Sequence, residues 1–325
     1  MEEVRQAPVR EKLVVRFLNV GDGDSILIEE SVPSGIFRML VDTGRPCVDQ
    51  PTPCDSCVNH LRWLKISHLD KLVITHLHED HAGGLSELAG WVKIDELISA
   101  YIPRKPGESM RPEPCAPKMV QGLIACVNRW SRDIQRLKAD GCRIVEAADS
   151  RKNVRMTDDL AADFIVPDLQ SLDFQRRVWE QMMAGKPVSM EQKIMASKLR
   201  NPNSMRVRLR YAGREIELAG DCYGSEWDSP GLAACDLLKV PHHGDGKAVT
   251  DALVEQLHPR HAVISCGRNY IPEKDRPSGA TISRLRGCGA KIWYTDAFDD
   301  GVQPPRSWPF VEFSICKDGE IIEPE

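Results

Sequence analysis

The sequence predicts an α/β protein in which two β-sheets pack together with helices on their outer faces. Three observations carry that expectation. Short apolar runs rich in β-branched residues recur along the 325-residue chain, each stopped by Gly, Asp, Asn or Pro. Segments of helical periodicity lie between them, the longest being "APKMVQGLIACVNRWSRDIQRLKADG" at 116–141. The strand-like runs also gather in two halves, before about residue 102 and after 201, on either side of a less regular middle.

The elements follow in order. "KLVVRFLNV" (12–20) reads as a strand, "GDGDS" breaks it, and "SILIEE" resumes as a second strand, a hairpin-like start. "FRMLVDTG" (37–44) is a third strand ending in an Asp-Thr-Gly turn. A helix is expected over about 58–67, and "LDKLVITH" is a buried strand ending at His76. "GGLSELAGWV" opens a helix, and "DELISAYIP" is a strand closed by proline. Five prolines make 103–117 a loop before the long helix. "CRIVEA" and "AADFIVPD" are short strands, and about 168–200 is a helical insertion rich in Met and basic residues.

From 201 the strand pattern returns. "SMRVRLRYAGREIELAGD" alternates apolar and charged residues around Ala-Gly, the pattern of a hairpin with one wet face. "CDLLKVPHHG" is a strand running into a histidine turn. Helix "KAVTDALVEQLH", strand "HAVISCG", helix "ATISRLRGCG" and strands "KIWYTDAF" and "PFVEFSIC" complete the pattern. This length can bury one large core or two modest ones. The expected organisation is one domain over 12–316 carrying the insertion, with tails at 1–11 and 317–325.

A net charge of −5 gives no global drive toward nucleic acid or acidic membranes, although a local basic groove remains open. Aromatics make up 6%, and nothing resembles a base-stacking platform. Residues 1–12 lack the apolar core of a signal peptide, and no run approaches the roughly 20 apolar residues of a membrane helix. The expectation is a soluble cytoplasmic protein. Eleven scattered cysteines fit reduced thiols. The one cluster, Cys47, Cys54 and Cys57 with His60 nearby, reads as free thiols in a polar loop, a structural zinc being the alternative.

The chemistry concentrates at "THLHEDHAGG". His76, His78, Asp80 and His81 follow a buried strand at H-x-H-x-D-H spacing. Imidazole and carboxylate are the ligands a catalytic zinc or manganese takes when a position stays open. In a tight turn the first two histidines can face one ion, and Asp80 and His81 a neighbour, which suits two ions about 3.5–4 Å apart. Asp221 ends "REIELAGD", in position to bridge, and His242 and His243 end "LLKVP". Of that pair, His243 is expected as the ligand and His242 as the substrate-side group. Asp42, ending "LVDTG", is placed to orient either a ligating histidine or the metal water from behind.

"LVDTG", "THLHEDHAGG", "LAGD" and "VPHHG", in that order, resemble the metallo-β-lactamase fold, a four-layer αββα sandwich. The subgroup most similar is that typified by the hydrolase domain of ComEC-type DNA-uptake proteins. "LNVGDGDS" looks like its opening "DVGQGDA", "NPNSMRVRL" like its Asn-x-x-Ser strand, and "SCGRNY" like its "SVG…N.Y" segment. The resemblance covers about residues 12–300. It implies two divalent metal ions, zinc before manganese, and substrate contacts at Asn203, Ser204, Asn269 and Arg276. Three departures stand out. No histidine lies between His81 and His242, a feature the subgroup shares, so the first ion would lean on Asn203, Ser204 or water. His78 stands where the subgroup often has Asp, which makes the first site more zinc-like. Arg276-Pro277 stands where His-Pro is usual, so that Arg276 is either a contact for a substrate phosphate or a surface charge.

The activity so implied is metal-dependent hydrolysis by a metal-bound hydroxide, with Asp80, His242 and Asp42 as the catalytic set. The substrate expected is a phosphodiester, nucleic acid included. A small ester, thioester or lactone on the same site is the alternative, and a non-catalytic metal-binding regulatory module is a second.

Overall fold

The computed structural model describes residues 12–46, 56–147, 149–227, 232–267, 275–302, 305–306 and 308–324. Its strands are β1 (Lys12–Leu18), β2 (Ile26–Val32), β3 (Gly35–Val41), β4 (His68–Ile74), β5 (Lys93–Ser99), β6 (Arg143–Glu146), β7 (Arg151–Arg155) and β8 (Ala161–Ile165). The second half adds β9 (Arg206–Tyr211), β10 (Arg214–Leu218), β11 (Leu237–Lys239), β12 (His261–Ile264), β13 (Lys291–Tyr294), β14 (Phe310–Cys316) and β15 (Ile321–Ile322). The helices are α1 (Cys57–Trp63), α2 (Glu79–Ala82), α3 (Leu85–Trp91), α4 (Lys118–Ala139), α5 (Leu169–Met183), α6 (Met190–Lys198), α7 (Gly224–Trp227), α8 (Asp251–Leu257) and α9 (Gly279–Gly287).

One sheet runs β15-β14-β1-β2-β3-β4-β5-β6 and the other β13-β12-β11-β10-β9-β8-β7. Each is antiparallel at one end and parallel at the other, parallel pairing beginning at β3·β4 in the first and at β10·β11 in the second. Alternate side chains explain the layering. Leu13, Val15 and Phe17 of β1 face Val207, Leu209 and Phe164 in the core between the sheets. Leu40, Leu72 and Leu97 point outward into a second core with Leu85, Leu123 and Trp130 of α3 and α4. Leu238, Ala262 and Ile292 do the same against Leu253 of α8 and Leu285 of α9. The result is the expected αββα sandwich.

Several local expectations change. β7 is an edge strand of "RKNVR", which pairs with β8 across a bulge and whose charges hid it from an apolar-pattern reading. β15 pairs with β14 inside the segment read as a tail. The first helix ends at Trp63, earlier than expected, and α8 begins only at Asp251, where Thr250 caps it. The β9–β10 hairpin is wet only toward its turn, where Arg210, Arg214 and Glu215 are partly exposed. Arg206 and Arg208 are buried and converge on the fully buried Glu217, at 3.0 and 3.3 Å. The residues that follow β10 in the chain cover them: Trp227 of α7 stacks on the Arg206 guanidinium at 4.3 Å, and the carbonyls of Ala233 and Ala234 accept from Arg208.

The 168–200 insertion is α5 and α6. Asp168 caps α5, and Ser189 with Gln192 forms a capping box on α6. Gln175 donates to Ala196 O and Arg176 to Ala100 O, fixing the pair at the end of β5. Among the described residues no helix is long and apolar enough to cross a membrane.

Candidate metal centre

The functional side chains gather at the carboxyl ends of the parallel strands, where helices and loops can vary without disturbing the sheets. β3 delivers Asp42, β4 delivers His76 and the histidine turn, β10 delivers Asp221, and β11 delivers His242 and His243. The two halves are stitched there by Met205 N donating to Thr75 O, at 3.0 Å. Gly220 makes the approach possible: its φ is +54°, and a Cβ would lie 2.4 Å from Ser204 Oγ.

Asp42 organises the turn. Its backbone is left-handed, at φ 59°. Oδ1 accepts from Thr75 N (2.8 Å), and Oδ2 accepts from Thr75 Oγ1 (2.7 Å) and His81 Nδ1 (2.8 Å). Burial pushes the Asp42 carboxyl up, with the His81 charge working against it. His81, pinned at Nδ1, turns Nε2 toward Asp221 Oδ1 at 3.2 Å. His243 is held the same way, Nδ1 donating to Ser265 O at 3.1 Å, so that Nε2 faces Asp80 Oδ2 and Asp221 Oδ1, both at 3.6 Å. On the other side, His76 is held at Nδ1 by Thr75 Oγ1 (3.1 Å) and Ser204 Oγ (3.2 Å). Its Nε2 lies 2.8 Å from His78 Nδ1 and 3.7 Å from Asp221 Oδ2.

Donor atoms of His76, His78 and Asp221 lie within 4.8 Å of one another, as do those of Asp80, His81 and His243. Asp221 belongs to the first set and offers its other oxygen to the second. His81 Nε2, His243 Nε2 and Asp221 Oδ1 are buried with no hydrogen-bond partner, a costly arrangement for polar atoms unless a cation satisfies them. The donor set therefore fits divalent ions.

Electrostatics agrees. Burial, then the Arg200 charge, takes His78 down to about 3, and burial with the His81 charge lowers His76 well below the usual value, so both rings are neutral donors. Burial opposes charge on Asp80 and Asp221, but the surrounding histidines outweigh it and hold both carboxyls well below the usual range. His81 is the exception: burial opposes its proton, yet Asp221 and Asp42 on either side raise it well above an ordinary histidine. A cation at Nε2 has to displace that proton.

His242 is arranged differently. Its Nδ1 lies 2.5 Å from Asp245 Oδ2, while Nε2 meets Asn201 Nδ2 (2.9 Å) and the Arg276 guanidinium. Tyr223 packs edge-on against the ring, at 5.0 Å between centroids. Both histidines of the pair have left-handed backbones, φ 46° and 54°, a conformation of measurable cost that turns the two rings to opposite tasks. Of the other expected contacts, Ser204 touches His76 and accepts from Asp221 N, whereas Asn203 turns away and donates to Gln175 of α5. Asn269 lies outside the described residues, as do Cys47 and Cys54; Cys57 is buried at the start of α1, where burial pushes its thiol up to about 12. Asn201, Tyr223, Asp245, Asp24 and Lys239 were not among the expected residues.

A ring of buried histidines and carboxylates at the strand ends of an αββα sandwich is chemically suited to holding divalent ions. Residues 18–112 match the family model of the Metallo-beta-lactamase superfamily, and the chain carries a domain of that fold. It is similar to ComE operon protein 3 of Bacillus subtilis (strain 168), 24% identical over 271 residues. That alignment covers 78% of this chain but 28% of the relative, so the chain spans under a third of that protein's length. Among solved structures, the metallo-β-lactamase fold protein YhfI from Bacillus subtilis superimposes with TM-score 0.49 at 8% identity, covering 94% of this chain and 100% of that one. A diphosphatase from the PhnP family gives TM-score 0.41 at 14% identity, covering 94% and 98%.

Proposed function

We propose that this chain hydrolyses phosphodiester bonds, nucleic-acid strands among them, at a dinuclear centre of zinc before manganese. His76, His78 and Asp221 would hold one ion, and Asp80, His81 and His243 the other, with Asp221 shared. Bound there, the ions would supply Lewis acidity and a nucleophile at neutral pH. The chain's own residues do the rest. Asp42 fixes the His81 tautomer, Ser265 O fixes that of His243, and Ser204 steadies His76. His242, backed by Asp245 at Nδ1, stands on the substrate side; its Nε2 accepts from Asn201 and the Arg276 guanidinium, so it would give a proton or hydrogen bond to the leaving oxygen only after substrate draws Arg276 away and Nε2 is protonated.

The observation that carries the substrate class is Arg276. Its guanidinium sits at His242 Nε2 and 3.8 Å from Asp245 Oδ2, and a second guanidinium, that of Arg45, lies 3.9 Å from Asp80. Planar guanidinium groups suit phosphate oxygens. The sequence resemblance to the hydrolase domain of ComEC-type DNA-uptake proteins points the same way. The test compares a phosphodiester series (a bis-aryl phosphate, then DNA and RNA oligonucleotides) with aryl esters and lactones, for wild type and Arg276→Ala. The expectation is faster phosphodiester turnover, with KM for it raised on the order of tenfold in Arg276→Ala and ester rates unmoved. A second reading, hydrolysis of a small ester, thioester or lactone, is favoured by the net charge of −5. Ester turnover exceeding phosphodiester turnover, and indifferent to Arg276→Ala, would establish it instead.

A further inference from the structure

We propose that Lys239 and Asp24 form a built-in charge counterweight that sets how tightly the centre binds divalent cations. Both are positioning residues that touch no substrate, and the proposal rests on the metal-centre reading above. Lys239 ends β11, three residues before His242, and its side chain is fully buried. The ammonium pairs with Asp24 Oδ2 and donates to the carbonyl of Gly220, the residue before Asp221. Asp24 is buried too. Its two oxygens stand behind the imidazoles of the second ligand set, 3.7 Å from His81 Nδ1 and 3.8 Å from His243 Nδ1. Those nitrogens already donate to Asp42 and Ser265, so Asp24 contributes field and not a hydrogen bond. The backbone fixes it there: Asp24 N donates to Asp80 O (3.0 Å), and Gly44 N donates to Asp24 O (2.8 Å).

Donor atoms of Asp24, Asp42 and His81 lie within 4.8 Å of one another, a spacing that would itself attract a cation. Lys239 brings its ammonium to that place as a covalently tethered cation. A buried ammonium carries a desolvation cost that a Met or Leu in the same packing would avoid. Its benefit is electrostatic. Alone, Asp24 would tighten cation binding at His81 and His243, and Lys239 alone would weaken it; together they nearly cancel. A pair that merely tied β11 to the 19–25 loop would have no such opposed effects.

The test measures zinc affinity of the full chain by chelator competition, with thermal melts, for wild type, Asp24→Asn, Lys239→Met and the double variant. Asp24→Asn is expected to bind zinc weaker on the order of tenfold or more, and Lys239→Met tighter by a similar factor. The double variant, with no buried charge left in the pair, is expected to fold and to return within about threefold of wild type. Single variants that shift in the same direction or not at all overturn the proposal. So does a folded double variant displaced tenfold from wild type, which decides the matter should the singles fail to fold. Wild-type protein that binds no zinc overturns the centre itself, a failure seen before any variant is compared.

Discussion

Asp42→Asn isolates the part of the centre on which the second ligand set depends. The native carboxylate accepts three hydrogen bonds, two from Thr75 and one from His81, each between 2.7 and 2.8 Å. Asparagine keeps Oδ1 for Thr75 N and tolerates the left-handed backbone at φ 59°, so backbone strain does not enter. It places an NH2 where Oδ2 was, facing His81 Nδ1. Thr75 Oγ1 can rotate to accept from it; His81 Nδ1–H cannot. One charge-assisted bond to a buried group is lost, worth about 2 kcal/mol of stability. His81 loses the partner that fixes its tautomer, a change that typically costs about 10–100-fold in metal affinity. Urea unfolding of the metal-free protein reads the first effect, and zinc competition reads the second. A variant that is destabilised yet binds zinc within twofold of wild type would refute the orienting role of Asp42.

Two further predictions concern the fold. Glu217→Gln leaves Arg206 and Arg208 buried without their shared counter-charge, so urea unfolding should show a loss of about 3 kcal/mol; a loss under about 1 kcal/mol would mean that Trp227 and Glu215 suffice. Asp163 takes two hydrogen bonds from Arg210, at 2.6 and 2.8 Å, and these hold its carboxyl below the usual 3.8. Its folded pKa is depressed, so its stabilisation is complete above the unfolded value and disappears as pH falls through the folded one. Wild type should therefore exceed Asp163→Asn by about 1 kcal/mol at pH 6, with the gap closing in acid. A gap independent of pH would contradict the assignment.

Much of the centre is legible in the sequence because its donors end strands. His76, Asp221 and the His242–His243 pair each follow an apolar run that announces a buried strand, and the strand order then brings them together. What sequence cannot supply is orientation. Asn203 and Asn201 are two residues apart in the same turn, yet Asn203 faces α5 and Asn201 faces His242. Asp24 and Lys239 lay in plain view inside "LNVGDGDS" and "LLKVPHHG", 215 positions apart, and nothing local indicates that they pair. The charged alternation of β9 and β10 misled for a related reason: a strand pattern reports which residues are charged, and only the covering layer decides whether they are wet. β7 escaped because an exposed edge strand has no apolar face to betray it.

The donors around Asp221 are arranged to hold two cations. Metal analysis of the purified chain, before and after Asp221→Ala, counts them. A dinuclear centre gives about two zinc equivalents per chain in wild type and at most one in the variant, with folding retained. Fewer than one equivalent in wild type, or two undiminished in Asp221→Ala, would contradict it.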